Sequence, residues 1–319
     1  ITWTLKEGIL WSDGTPLTSQ DVKFSWHYCT AEGGGCAQIE KYGGIASIDT
    51  PDDRTVVVNF DGPKPFPYTA FVGATAPILQ QAQFAECLGP KAPECTRQNF
   101  YPIGTGPFVV DDFRPNDVIQ FSANPNYRDP DKPAFARVLL KGGGDATAAG
   151  RAVLETGDYD YGWNLQLAPD VLDNMESAGL GQVVSTFGAL VERIIINLTD
   201  PSAEHGARRS TLDHPHPFLT DKAVRQALSM AIDRELLVEI GYGSAGRVTC
   251  NILPAPEIYA STANDACKTQ DIDGANALLD AAGWTDSDGN GVRDKDGVEL
   301  RLLFQTSTNA VRQDFRTLI

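Results

Sequence analysis

Several groups of residues in this 319-residue chain have types and spacing that could do chemistry. Asp286-Ser287-Asp288-Gly289-Asn290-Gly291 places oxygen donors at positions 1, 3 and 5 and glycine at 6, the start of a calcium loop. Asp294 and Asp296 extend it, but position 12 is Gly297, where an EF-hand carries a bidentate glutamate. Asp286, Asp288, Asn290 and Asp294 are therefore a partial ligand set for a structural calcium, with a bare acidic turn as the alternative. Gly241-Tyr242-Gly243-Ser244-Ala245-Gly246 matches the GxGxxG dinucleotide pattern. It follows a helical pattern and opens into Arg247-Val248-Thr249-Cys250, so the strand before it and the phosphate-binding helix after it are both missing. His214-Pro215-His216 reads as a solvated turn, and His27 and His205 stand alone. Neither GxSxG nor HExxH occurs, so no nucleophile and base are named and the expectation is a protein that is not an enzyme and has no cofactor beyond the candidate calcium.

The six cysteines fall as close pairs, Cys29 and Cys36, Cys87 and Cys95, Cys250 and Cys267. Fifteen connectivities are open, and local pairing is the simplest. None has CxxC spacing, so three disulfides and a location outside the cytosol fit best. The net charge of −16 argues against nucleic acid or an anionic membrane surface as partner. With 42% hydrophobic and 21% charged residues the composition is globular, and no apolar run reaches membrane-spanning length.

The elements that must position these groups follow from periodicity. Thr2 to Leu5 alternates as a strand, Ser12 to Pro16 is a turn, and Thr18 with Asp21 caps a helix carrying Val22, Ser25, Trp26 and Cys29. Ile45–Asp49 and Thr55–Phe60 form a hairpin, and Phe66–Ile78 is apolar and partly helical. Phe108–Asp111, Val118–Phe121, Val138–Leu140, Gly181–Ser185, Val191–Leu198 and Arg301–Phe304 read as strands. Ala146–Thr156 and Pro169–Ala178 read as helices. Further helices start behind Thr220, Asp233 and Asp273, the last ending at Gly283. Alternating strands and helices favour an α/β sheet with helices on its faces. The chain begins inside a strand pattern and stops inside a helical one, which predicts a fragment, incomplete at both termini.

The run from Trp3 to Trp26 resembles the family 5 extracellular solute-binding proteins, the oligopeptide and dipeptide receptors of ABC importers. So do Ile103-Gly104-Thr105-Gly106-Pro107-Phe108 with Asn124-Pro125-Asn126-Tyr127, Gly157-Asp158-Tyr159-Asp160, Phe218 to Arg234, and Ala281-Ala282-Gly283-Trp284. The resemblance implies a type II periplasmic-binding-protein-like, two-lobed α/β fold with an extra small α+β domain, closing over ligand by hinge motion. On it, residues 1–101 are the extra domain, 102–193 part of lobe one, 194–198 a hinge strand and 199–319 the beginning of lobe two. It implies capture of a peptide or similar small solute for a membrane ABC permease. It further implies an extracytoplasmic, monomeric protein, in the periplasm or lipid-anchored at the cell surface.

Tyr161, Trp163, Asn164 and Gln166 then fall where the cleft should be, an apolar face and amides suited to peptide side chains and backbone. Arg193 and Asn197 lie on the crossing strand, as ligand contacts or as hinge residues. The residue that pairs with a peptide amino terminus in the family falls outside this chain. A secreted hydrolase and a sensory receptor of the same fold are the alternative readings.

Overall fold

The computed structural model describes residues 1–319, which divide into two compact units, Ile1–Gly143 and Gly144–Ile319. In the first, β1 (Thr2–Thr4), β2 (Ile45–Asp49) and β3 (Thr55–Phe60) form an antiparallel sheet in the order β1-β3-β2. Val56 and Val58 alternate onto its inner face and meet Ile48 and Val22 of α1 (Ser19–Thr30) in the core. The β2–β3 turn is closed by Asp52, whose Oδ1 accepts from the amides of Arg54 and Thr55, each at 2.8 Å. Residues 66–78 form turns instead of the expected partial helix. Pro63, Pro65 and Pro67 disfavour α geometry before them, and Phe71 and Gly73 take positive φ. Helices α2 (Gln81–Phe84) and α3 (Thr96–Phe100) follow, bracketing the Cys87–Cys95 disulfide.

A second antiparallel sheet, β4 (Phe108–Arg114), β5 (Val118–Ala123) and β6 (Arg137–Lys141), belongs to the same unit. The Ser12 amide donates to Gly104 O at 2.9 Å, Asn126 Nδ2 to Ser12 O at 3.1 Å, and Gln83 bridges Tyr101 O and the Ile103 amide, holding 101–126 to the first segment.

In the second unit, α4 (Ala146–Leu154) is capped by Asp145 and α5 (Pro169–Glu176) starts on proline; Leu154, Leu167 and Met175 pack between them. Helices α6 (Lys222–Ala231), α7 (Arg234–Gly241) and α8 (Ile272–Ala281) follow, with Phe218, Leu219, Val224 and Trp284 as a second core. Two caps differ from expectation. Asp221, not Thr220, caps α6, because the Asp221 carboxylate is fixed by Trp284 Nε1 at 3.0 Å while the Thr220 hydroxyl turns back to His216 O. Asp271, not Asp273, caps α8, accepting from the Gly274 amide at 2.7 Å. Asp233 caps α7 as expected.

The β-hairpin β7 (Asp294–Lys295) and β8 (Val298–Glu299) leads to α9 (Ala310–Leu318). Every ladder is antiparallel. Residues 181–185, 191–198 and 301–304, expected as strands, join no sheet, and Val184, Ile195 and Leu303 are exposed. A strand's hydrogen bonds are made by its neighbour, and these segments have no ladder bond beyond the His216 amide on Leu198 O, next to the isolated Thr199–Pro215 bridge. The cysteines are joined as Cys29–Cys36, Cys87–Cys95 and Cys250–Cys267, with none free. In the chain-entropy account, closing loops this short stabilises by about 2–3 kcal/mol each. No helix is long and apolar enough to cross a membrane.

Candidate functional site

Residues 159–168 leave α4 as a series of tight turns, with the Gln166 amide donating to Asn164 O and the Leu167 amide to Leu165 O. Asn164 sits in the left-handed region at φ 57°, which asparagine tolerates better than bulkier residues. Leu167 is buried against Gly150, where a side chain would meet Leu167 and Met175. With that anchor turned inward, Tyr161 and Trp163 are left 77% and 74% exposed. They are two large aromatics exposed on a packed base.

The segment is tied to α9 through Gln166. Asn309 caps α9 through its Oδ1, and its Nδ2 donates to Gln166 Oε1 at 2.9 Å. One turn later, Arg312 grips Glu192 with two bonds of 3.0 and 3.1 Å, and Tyr242 Oη donates to the same carboxylate at 3.0 Å. Burial, then the Glu192 charge, pushes the Tyr242 phenol up to about 12. The first turn of α9 thus ties down both the Gln166 segment and the Glu192 segment. Arg193, beside Glu192, has no carboxylate partner; its guanidinium touches only Val191 O at 3.4 Å. Asn197 has a local role, its Oδ1 accepting from the amide and hydroxyl of Thr199 as an Asx-turn. Of the six expected ligand residues, Tyr161, Trp163, Asn164 and Arg193 present exposed groups, whereas the side-chain oxygens of Gln166 and Asn197 are bonded within the protein. Asn309 and Arg312 escaped sequence reading, although an asparagine before a helical pattern is an N-cap signal.

In the 286–297 loop, Asp286 accepts from the amides of Gly289, Asn290 and Gly291, and Asp294 from Ser287. These bonds hold one oxygen each of Asp286, Asp288 and Asp294 within 4.8 Å of one another. Asn290 turns its Nδ2 to Asp288 and Glu299 and its Oδ1 to the Val292 amide. The GxGxxG glycines serve packing: a Cβ on Gly241 would strike Phe315, one on Gly243 Pro169, and one on Gly246 Tyr242.

His214-Pro215-His216 is not the expected turn but pairs with Leu198–Asp200 as an isolated antiparallel bridge, the Asp200 amide donating to His214 O and the His216 amide to Leu198 O. His216 Nδ1 accepts from the amides of Leu219 at 3.1 Å and Phe218 at 3.4 Å, so only the neutral ring fits. Burial lowers its pKa against a weaker upward pull from Asp200. A folded-state value below the unfolded one gives stability that is present above the ordinary histidine pKa of about 6.5 and lost as pH falls beneath it. The thermal midpoint is expected to drop from pH 7 to pH 5, and the His216→Phe variant to show a flatter profile over that interval. Equal slopes in the two proteins would exclude His216 as the cause.

The whole chain, residues 1–319, matches the family described as bacterial extracellular solute-binding proteins, family 5 Middle. Protein XP55 of Streptomyces lividans is 28% identical over 316 residues, covering 98% of this chain and 52% of that protein. A putative ABC transporter peptide-binding protein of Brucella ovis is 26% identical over 295 residues, 91% of this chain and 50% of its own length. The chain thus spans about half the length of these curated relatives. The oligopeptide-binding protein AppA of Bacillus subtilis, solved with a nonapeptide, superposes with a TM-score of 0.74 at 22% identity, over 99% of this chain and 59% of AppA. That likeness gives the fold, the α/β type II periplasmic-binding-protein class. The chain belongs to the bacterial extracellular solute-binding proteins of family 5.

Proposed function

We propose that this chain is part of an extracytoplasmic receptor that captures oligopeptides and delivers them to an ABC permease, with Tyr161, Trp163 and Arg193 as ligand contacts. The observation that carries the reading is a guanidinium without a carboxylate on a segment that α9 clamps together with the base of an exposed Tyr161–Trp163 platform. Aromatic faces suit peptide side chains, and a free arginine suits a peptide carboxylate. The similarity to peptide-binding relatives and the disulfides support it. Asn164 belongs to the same surface; Gln166 and Asn197 support it from beneath and from the hinge. In the same reading residues 1–101 form the extra domain, 102–193 part of lobe one, 194–198 the hinge and 199–319 the start of lobe two. A calcium ion held by Asp286, Asp288 and Asp294 staples the turn before β7.

Trp163 is far more exposed than Trp11 and Trp284, so indole fluorescence reports on it. Titration with a peptide library is expected to shift that emission, and Trp163→Ala to weaken binding by about tenfold or more, as for an aromatic anchor. Unchanged affinity in Trp163→Ala, or no response to any peptide, would sink the assignment. Calorimetry with calcium, repeated on Asp286→Asn, tests the ion; no heat from the parent protein removes it.

A further inference from the structure

We propose that Asp200, Glu204 and His205 form a binding site for a first-row transition-metal dication, of the size and ligand preference of Zn2+, at the head of the loop that runs from Asp200 to His216. His205 Nε2 lies 3.2 Å from Asp200 Oδ2 and 3.7 Å from Glu204 Oε1. One donor atom from each of the three residues falls within 4.8 Å of the others. Ligands about 2.0–2.1 Å from a tetrahedral ion stand about 3.4 Å apart, and the two histidine separations bracket that value. One imidazole and two carboxylates, with the fourth position left to water, suit zinc better than the all-oxygen set of the 286–294 loop.

The donors are held in place. Asp200 Oδ1 accepts from the amide and hydroxyl of Ser202, leaving Oδ2 for His205. The His205 ring stacks on His214 at 4.0 Å, and the Asp200 amide donates to His214 O at 2.7 Å, closing the loop on itself. Glu204 is 77% exposed and free to swing in. Charge completes the argument. Nearby Asp213 is neutralised by Arg208 at 3.0 Å, whereas neither Asp200 nor Glu204 meets a lysine or arginine, and both face only a histidine. A dication supplies the missing charge. His216, whose Nδ1 is committed to two backbone amides, stays outside the set.

The test uses tag-free protein stripped with a chelator and titrated with Zn2+ by calorimetry, with excess Ca2+ present to saturate the 286–294 loop. One equivalent of Zn2+ is expected to bind, and Co2+ in its place to give the visible absorption of tetrahedral coordination. Glu204→Gln, exposed and without a folding role, is expected to weaken Zn2+ by about tenfold or more, and His205→Ala by a larger factor. No uptake by the parent protein, or affinity unchanged in either variant, overturns the site.

Discussion

Asp21→Ala is expected to cost the first unit about 3 kcal/mol, because the buried Trp11 indole N–H loses its acceptor while the Thr18 and Gln81 amides lose a charged one at the same time. The Asp21 carboxylate is 6% exposed. Its Oδ2 accepts from the Thr18 amide at 2.9 Å, the Thr18 hydroxyl at 3.3 Å and Trp11 Nε1 at 3.4 Å. Its Oδ1 accepts from the Gln81 amide at 2.9 Å. One side chain thus joins the turn before α1, the helix itself and the start of α2. Thr18 lies near solvent and can turn to water, but Trp11 is 2% exposed and its indole N–H is left unpaired. An unsatisfied buried donor costs about 1–3 kcal/mol, and the charge-assisted bonds are lost in addition. Asp21→Asn keeps one oxygen and sets an NH2 against donors, so it should recover only part of the loss. Urea unfolding decides the matter; a loss in Asp21→Ala below about 1 kcal/mol, the worth of an ordinary cap, would show that Trp11 and Gln81 find other partners.

Half of that constellation was legible in the sequence. Thr18 and Asp21 are three residues apart, and a capping box is a local pattern that spacing alone reveals. Trp11 and Gln81 stand 10 and 60 residues away and reach the carboxylate only once the unit has folded. The same division runs through the molecule. Asp233 was readable as a cap, whereas Asp221 took that role from Thr220 because an indole 63 residues away holds its carboxylate. The cysteine pairs lie within 7, 8 and 17 residues and close locally. Residues 181–185 and 191–198 have strand character in their side chains, but a strand exists only through its neighbour, and periodicity says nothing of neighbours. At the candidate site, Trp163 and Tyr161 announce themselves by type. That Gln166 is spoken for by Asn309 is a contact across 143 residues, invisible before the fold.

Gly241→Ala is expected to destabilise the second unit by about 2 kcal/mol net, against a helix-propensity gain of at most about 1 kcal/mol, the value for a helix-interior glycine. Gly241 ends α7 where it crosses α9. A Cβ built there lies 2.9 Å from Val311 Cγ1 and closer still to the ring of Phe315, and both side chains are buried. No flexible end can swing aside, so the helices must separate. Overpacking by a single methyl costs about 1–3 kcal/mol, and ring contacts this close place the cost at the upper end. The displacement should also be felt at a distance, because α9 carries Asn309 and Arg312, which hold the Gln166 and Glu192 segments. Gly188→Ala, with open space around it and no positive φ, is the control and should change stability by less than about 0.5 kcal/mol. Truncating the ring in the double variant Gly241→Ala with Phe315→Leu should restore part of the loss, since the two changes share one contact and are not additive. If Gly241→Ala melts with or above the parent protein, helix propensity has won and α9 is not packed against α7 as closely as the glycine implies. If it melts lower while peptide affinity is unchanged, α9 does not position the Tyr161–Trp163 platform.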